Sequence, residues 1–292
     1  MKLLALGLLL VGGWQPGPPL PLARTEVAGV AYRGGVAVVG GFVADGSSTG
    51  QVDLYRPGRG WSRLPDLPVA VNHAMAAAAG GRLYVIGGYG SEGPLRRAFM
   101  LDAGAWRELP PPPDARAAGG AAAVRGTVYV AGGVGPGGLR RTMLALDVRR
   151  ERWRVLPGPT PRQHLGVAAL GGRVYAVAGR SAGYDANVRV AESWAPGGRW
   201  RRIAPVPEAR GGTGLAAVAG TLVSAGGEAP AGTIASVYRF IPATGRWTRL
   251  PDLPTPRHGL ALVGVGGTVY AIGGGPQPGL HVSDANESLA VR

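Results

Sequence analysis

Residues 269–274 read VYAIGG, and the same short apolar run closing on a glycine pair occurs five more times: VAVVGG at 36–41, LYVIGG at 83–88, VYVAGG at 128–133, VYAVAG at 174–179 and LVSAGG at 222–227. One of the six departs, with Ala178 in place of the first glycine. The first positions of the pairs, 40, 87, 132, 178, 226 and 273, are separated by 47, 45, 46, 48 and 47 residues. A rhythm of that length marks repeated supersecondary units, each too small to bury its own apolar face alone.

Tryptophans keep the same beat. Trp61, Trp106, Trp153, Trp200 and Trp247 follow the first glycine position of their units by 19 to 22 residues. A sixth would fall beyond residue 292, yet Trp14 stands unclaimed at the other end of the chain. It opens WQPGPPLPLAR (14–24), which matches WTRLPDLPTPR (247–257) in its leading Trp, its Pro-rich middle and an Arg ten residues on. Residues 14–20 are therefore expected to supply the outermost strand of a unit begun at 254.

Each unit reads as four short strands. Small residues such as AMAAAA (74–79) and GLALVGV (259–265) make the first, with a tight turn at Gly34-Gly35, Gly80-Gly81, Gly171-Gly172 or Gly266-Gly267. The glycine-pair run is the second, segments such as DLY (53–55) and SVYRF (236–240) the third, and the Trp segment the fourth. Four strands in each of six units predict an all-β, six-bladed β-propeller, which closes radially and leaves only short edges. The expected blades are 21–67, 68–112, 113–158, 159–206, 207–253 and 254–292 joined by 14–20, in one domain over 14–292. Gly and Pro make up 78 of the 292 residues, and the repeat explains them as periodic turn chemistry rather than disorder.

Composition bounds the rest. Cysteine is absent, which removes disulfides, thiolate metal sites and cysteine nucleophiles. The formal charge is +14, and 30 of the 31 basic residues are arginine, a planar fork suited to carboxylate, sulfate or phosphate. Lys2, the apolar run 3–11 and the small residues 11–13 form a signal-peptide pattern over 1–13. Export to the periplasm or the cell exterior is expected, with the cytoplasm as the alternative. No apolar run reaches the roughly 20 residues of a membrane span.

The glycine pair after a Y-V-I-like strand, the aromatic or Leu of the third strand and the Trp about six residues later, as in VYAIGG and SVYRFIPATGRWTRLPDLP, resemble the kelch-repeat family. The resemblance covers 14–292 and implies a propeller whose ligand face carries the loops between second and third strands and those between blades. At the start of the inner strands, sixteen residues before the first glycine position, stand Arg24, Arg116, Arg162, Arg210 and Arg257, with Val71 breaking the set. They are expected to ring one mouth of the channel and bind an anion, the competing expectation being that they tie the blades together through backbone carbonyls.

Near them, His73, His164 and Glu26 share one repeat position, and His258 lies one residue off it. The second-to-third-strand loops add Asp45, Tyr89, Glu92, Arg180, Tyr184, Asp185 and Glu228. The expected ligand site is thus Arg24, Arg116, Arg162, Arg210, Arg257, His73, Arg180, Tyr184 and Glu228. The expected function is that of a non-catalytic binding module, a monomer taking an anionic glycan or an acidic protein segment at the mouth. The alternative is a mutarotase or isomerase of a sialic acid-like sugar acid, with Glu228 and His164 as its acid–base pair. That alternative rests on the likeness of GGEAPAG (226–232) to a loop of the six-bladed kelch mutarotase. The missing cysteine excludes the kelch-type copper oxidases. Nucleic acid ranks last because no aromatic stacking stripe accompanies the charge. Gly133, Gly135 and Gly138 mimic a dinucleotide loop without the βαβ unit it needs. No cofactor and no metal are expected, since His281, Asp284 and Glu287 have helical spacing in a strand region.

Overall fold

The computed structural model describes residues 12–292, so the apolar part of the expected leader lies outside the described residues. Six antiparallel sheets stand side by side, each with a four-stranded path, to which the short strand Gly138–Leu139 adds a fifth in the third blade. The innermost strands are Ala28–Tyr32, Met75–Ala79, Ala117–Val124, Gly166–Leu170, Gly214–Val218 and Ala261–Val265. Each touches the next, and the last returns to the first, so the ring is closed.

Closure occurs in the sixth blade. Gln15–Pro16 pairs antiparallel with Asn286–Ala290, Gln15 opposite Ser288 and Pro16 opposite Glu287. Trp14 is only 8% exposed and packs among Leu253, Leu260, Leu289 and Val291. Its indole Nε1 donates to the Pro251 carbonyl at 2.9 Å. The other five repeat tryptophans do the same to the preceding blade: Trp61 to Pro18, Trp106 to Pro65, Trp153 to Pro110, Trp200 to Pro157 and Trp247 to Ala204, at 2.7–3.1 Å. Trp14 thus occupies the sixth place of a cyclic series, as its sequence match to 247–257 requires.

The core is divided among the blade interfaces. Second strands are covered on both faces, so their alternating side chains serve two different clusters. Val36 and Val38 pack toward the sixth blade with Val263 and Ile272, whereas Ala37 and Val39 pack toward the second with Ala76 and Val85. Near the axis the strands crowd, and a Cβ on Gly166 would lie 2.5 Å from the Leu215 Cβ. This close approach explains the Ala- and Gly-rich inner strands.

Local turn geometry differs from expectation at one place. In the first blade the hairpin turn is Arg33-Gly34, with φ of 46° and 76°, and Gly35 already begins the second strand. Positive φ at both central residues gives the twist that joins adjacent strands. Ala178, the departure from the glycine pair, adopts φ 59° and keeps the geometry of its counterparts. Its blade is regular except for a fourth strand shortened to Arg201–Arg202.

Candidate functional site

The five repeat arginines are not at the mouth. Arg24, Arg162, Arg210 and Arg257 are 0% exposed and Arg116 1%. Each guanidinium donates to the carbonyl of the first glycine-pair position of its own blade: Arg24 to Gly40, Arg116 to Gly132, Arg162 to Ala178, Arg210 to Gly226 and Arg257 to Gly273, at 2.7–3.3 Å. The arginine carbonyls in turn accept from the second glycine of the preceding blade, as in Gly133 N–H to Arg162 O at 2.8 Å and Gly274 N–H to Arg24 O at 2.8 Å. These residues therefore join strand to strand and blade to blade, and their expected place in a ligand site is corrected.

An acid neutralises each buried cation. Asp53, Glu192 and Glu287 do so from the third strand, at 2.5–2.6 Å from Arg24, Arg162 and Arg257. Asp114 and Glu208 do so from two residues upstream of Arg116 and Arg210, at 2.9 and 3.0 Å. In the second blade, Val71 replaces the arginine, and the corresponding acid positions hold Val69 and Phe99. The ion pair is present or absent as a unit, because either member left alone would be a buried unpaired charge. Burial pushes Arg24 down to about 10, partly offset by Asp53, so it remains a cation at neutral pH.

The mouth itself is built on a second ring. Glu26, His73, Ala118, His164, Gly212 and Gly259 occupy one repeat position, and all have φ between 50° and 68°. His73, Ala118, His164, Gly212 and Gly259 each donate the backbone N–H to the carbonyl of the preceding member, at 2.7–3.0 Å, and Val27 N–H closes the circle on Gly259 O at 3.1 Å. This left-handed ring narrows the channel above a cavity of about 120 Å³.

Three side chains of the ring converge, joined by His258 from the sixth blade. His73 Nε2 lies 3.1 Å from Glu26 Oε2 and 3.0 Å from His164 Nε2. Glu26 Oε1 faces His258 Nδ1 at 3.0 Å, and His258 Nε2 faces the Gln277 carbonyl at 3.2 Å and Glu228 Oε2 at 3.4 Å. Both His258 nitrogens thus face acceptors, which favours the imidazolium. Burial pulls its pKa down, but Glu26 and Glu228 outweigh this and raise it. Burial raises the Glu26 carboxyl, yet His73, His258 and His164 outweigh it and hold the group well below the usual carboxylate range. Burial lowers His73, and it lowers His164 to about 3, so both rings are neutral near pH 7.

Arg180, Tyr184 and Glu228 come together beside this cluster, as the loop positions suggested. Arg180 Nη2 donates to Glu228 Oε1 at 2.5 Å, Tyr184 OH to Glu228 Oε2 at 3.1 Å, and Gly279 N–H to the same oxygen at 3.1 Å. The Arg180 guanidinium lies 4.8 Å from the centre of the Tyr184 ring, which is 38% exposed. No hydrogen bond joins Glu228 to His164 among the described residues, so the expected acid–base pair is not formed. Asp45, Glu92 and Asp185 stand in solvent, and Tyr89 packs edge-on against His73 with Phe42 on the other side. Between the first two blades a groove of about 880 Å³, lined by Phe42, His73 and Tyr89 among others, opens beside His73. Sequence reasoning missed Asn187, whose Nδ2 donates to the Glu228 carbonyl at 2.7 Å. It also missed the direct meeting of Glu26, His73 and His164, although their shared repeat offset signalled it.

The architecture and the ring of glycine pairs define a kelch-type β-propeller. The kelch motif matches residues 73–113, 115–160 and 209–254, three stretches of a chain that folds as a six-bladed β-propeller. Among solved structures, the chain titled "Structure of YjhT" superposes with a TM-score of 0.79 at 16% identity, covering 92% of this chain and 95% of that one. At that identity the likeness is one of fold. No curated protein matches the sequence. Among the described residues, no helix is long and apolar enough to cross a membrane.

Proposed function

We propose that the protein binds an anionic ligand, a sugar acid of a glycan or an acidic segment of a partner protein, at the mouth of its central channel. One observation carries this reading. Arg180 is held in the mouth by Asn187 and Glu228, and its Nη1 has no acceptor among the described residues. A pre-oriented guanidinium with a free edge, beside an exposed tyrosine ring, offers a carboxylate fork and a stacking face together. The buried arginines serve the fold and take no part.

A panel of sugar acids, sulfated glycans and acidic peptides, read by thermal shift, tests this. Anionic ligands should stabilise the wild type and neutral analogues should not. Arg180→Lys, which keeps the charge facing Glu228 but loses the fork, and Tyr184→Ala should each reduce the shift. No shift with any anion removes the reading. In the sugar-acid mutarotase alternative, Glu228 would have to break a bond to Arg180, Tyr184 or Gly279 before taking a proton. Exchange NMR showing faster anomer interconversion of sialic acid, lost in Glu228→Gln, would establish that alternative. Action outside the cytoplasm is part of the proposal, resting on the leader pattern, and a mature N-terminus beginning at Met1 counts against it.

A further inference from the structure

We propose that Glu26, His73 and His164 form a binding site for a divalent transition metal, zinc by donor preference, at the floor of the channel mouth. The donor atoms are Glu26 Oε2, His73 Nε2 and His164 Nε2, all within 4.8 Å of one another. Donors about 2.0–2.1 Å from a zinc ion stand roughly 3.3 Å apart at a tetrahedral angle. The 3.1 Å from Glu26 to His73 and the 3.0 Å from His73 to His164 lie within a few tenths of that spacing.

The hydrogen-bond pattern around the trio leaves a shortage of protons that a cation would fill. Asn72 Nδ2 donates to Ser48 Oγ at 2.7 Å, which turns the amide oxygen toward His73 Nδ1 at 2.5 Å. His73 therefore carries its proton on Nδ1, and its Nε2 presents a lone pair to a carboxylate oxygen and to a second imidazole nitrogen. The Glu26 contact is then two acceptors facing each other. His164 Nδ1 is enclosed without a partner, so His164, unlike His73, has no protein acceptor that sets its tautomer.

The supporting residues resemble those of a metal site. Asn72 orients His73 through the ring nitrogen away from the trio, and Phe42 and Tyr89 hold the ring edge-on at 5.9 and 5.5 Å. His258 fixes the other oxygen of Glu26. Such outer partners set ligand orientation and tautomer. The backbone supplies an independent argument. The ring position requires φ near +50°, where a side chain costs about 1–2 kcal/mol and glycine almost nothing. Gly212 and Gly259 use the cheap residue, whereas Glu26, His73, Ala118 and His164 accept the strain, and the three of these four with long polar side chains converge. Strain of this kind persists where function holds it. Ala118, Gly212 and Gly259 put no long side chain into the ring, which leaves a fourth coordination position open to the mouth. The metal inference rests on the trio and stands without the carbohydrate proposal.

Metal-depleted protein without a polyhistidine tag, titrated with Zn²⁺ by calorimetry and with Co²⁺ by visible absorption, tests it. One site per chain is expected, with the strong visible bands of a low-symmetry Co²⁺ complex. His73→Asn and His164→Asn, which suit the left-handed backbone, should each weaken Zn²⁺ binding by about a hundredfold or more. Far-UV circular dichroism checks their fold, and Glu26→Gln gives the same reading if an asparagine variant unfolds. His281→Ala, which removes the one histidine outside the cluster, should bind as the wild type does. Absence of heat and of Co²⁺ bands in the wild type overturns the proposal. So does binding that survives in His73→Asn/His164→Asn or disappears in His281→Ala.

Discussion

Removing the Trp14 side chain should open the ring at its seam. A buried tryptophan withdraws about 150–250 Å² from water, which at roughly 25 cal/mol per Å² is about 4–6 kcal/mol as an upper bound. Measured Trp→Ala costs of about 3–5 kcal/mol fall in the same range, and the lost bond to Pro251 O adds about 1 kcal/mol. We therefore expect Trp14→Ala to cost about 4 kcal/mol, with the midpoint of urea unfolding moving down accordingly. Trp106→Ala provides the internal comparison. It occupies the same repeat position and donates to Pro65, but its side chain is only partly buried, so its cost should be about 2 kcal/mol. Trp14→Phe keeps most of the area and loses the donor, and should cost about 1 kcal/mol. Urea titrations followed by far-UV circular dichroism give all three values on one scale. A Trp14→Ala cost below about 1 kcal/mol would refute the claim that residues 14–20 latch the propeller.

Arg257→Ala should destabilise by about 3–5 kcal/mol because it leaves Glu287 buried without its partner, and Arg257→Met with Glu287→Leu should recover most of that loss; chemical denaturation of the two variants decides it. Ala178→Gly should stabilise by about 1 kcal/mol, since the left-handed backbone at φ 59° penalises a Cβ, and an unchanged or lower midpoint would contradict this.

The repeat made most of the fold legible without coordinates. Six apolar runs ending at positions 40, 87, 132, 178, 226 and 273 specify a blade count because strand, turn and glycine chemistry are local and recur at one spacing. Trp14 could be assigned to the last blade because the sequence around it repeats that of Trp247. The site was less legible. Arg24, Arg116, Arg162, Arg210 and Arg257 were visible as a set, but a sequence shows that a guanidinium recurs and not which acceptors surround it. Their direction inward was decided by carbonyls and acids such as Asp53 and Glu287, whose own offsets from the arginine vary.

By itself, then, the sequence determined the number of units, their strands and the way the ends of the chain meet. Those properties follow from residue-by-residue backbone and burial preferences repeated along the chain. Tertiary structure alone decided that Glu26, His73 and His164, which come from three blades, meet with His73 Nε2 about 3 Å from both the Glu26 carboxylate and the His164 ring. It likewise decided that the repeat arginines turn into the blades while Arg180 pairs with Glu228 beside the histidine cluster. Contact across blades depends on ring closure and on side-chain direction at the axis, and neither is encoded in spacing along the chain.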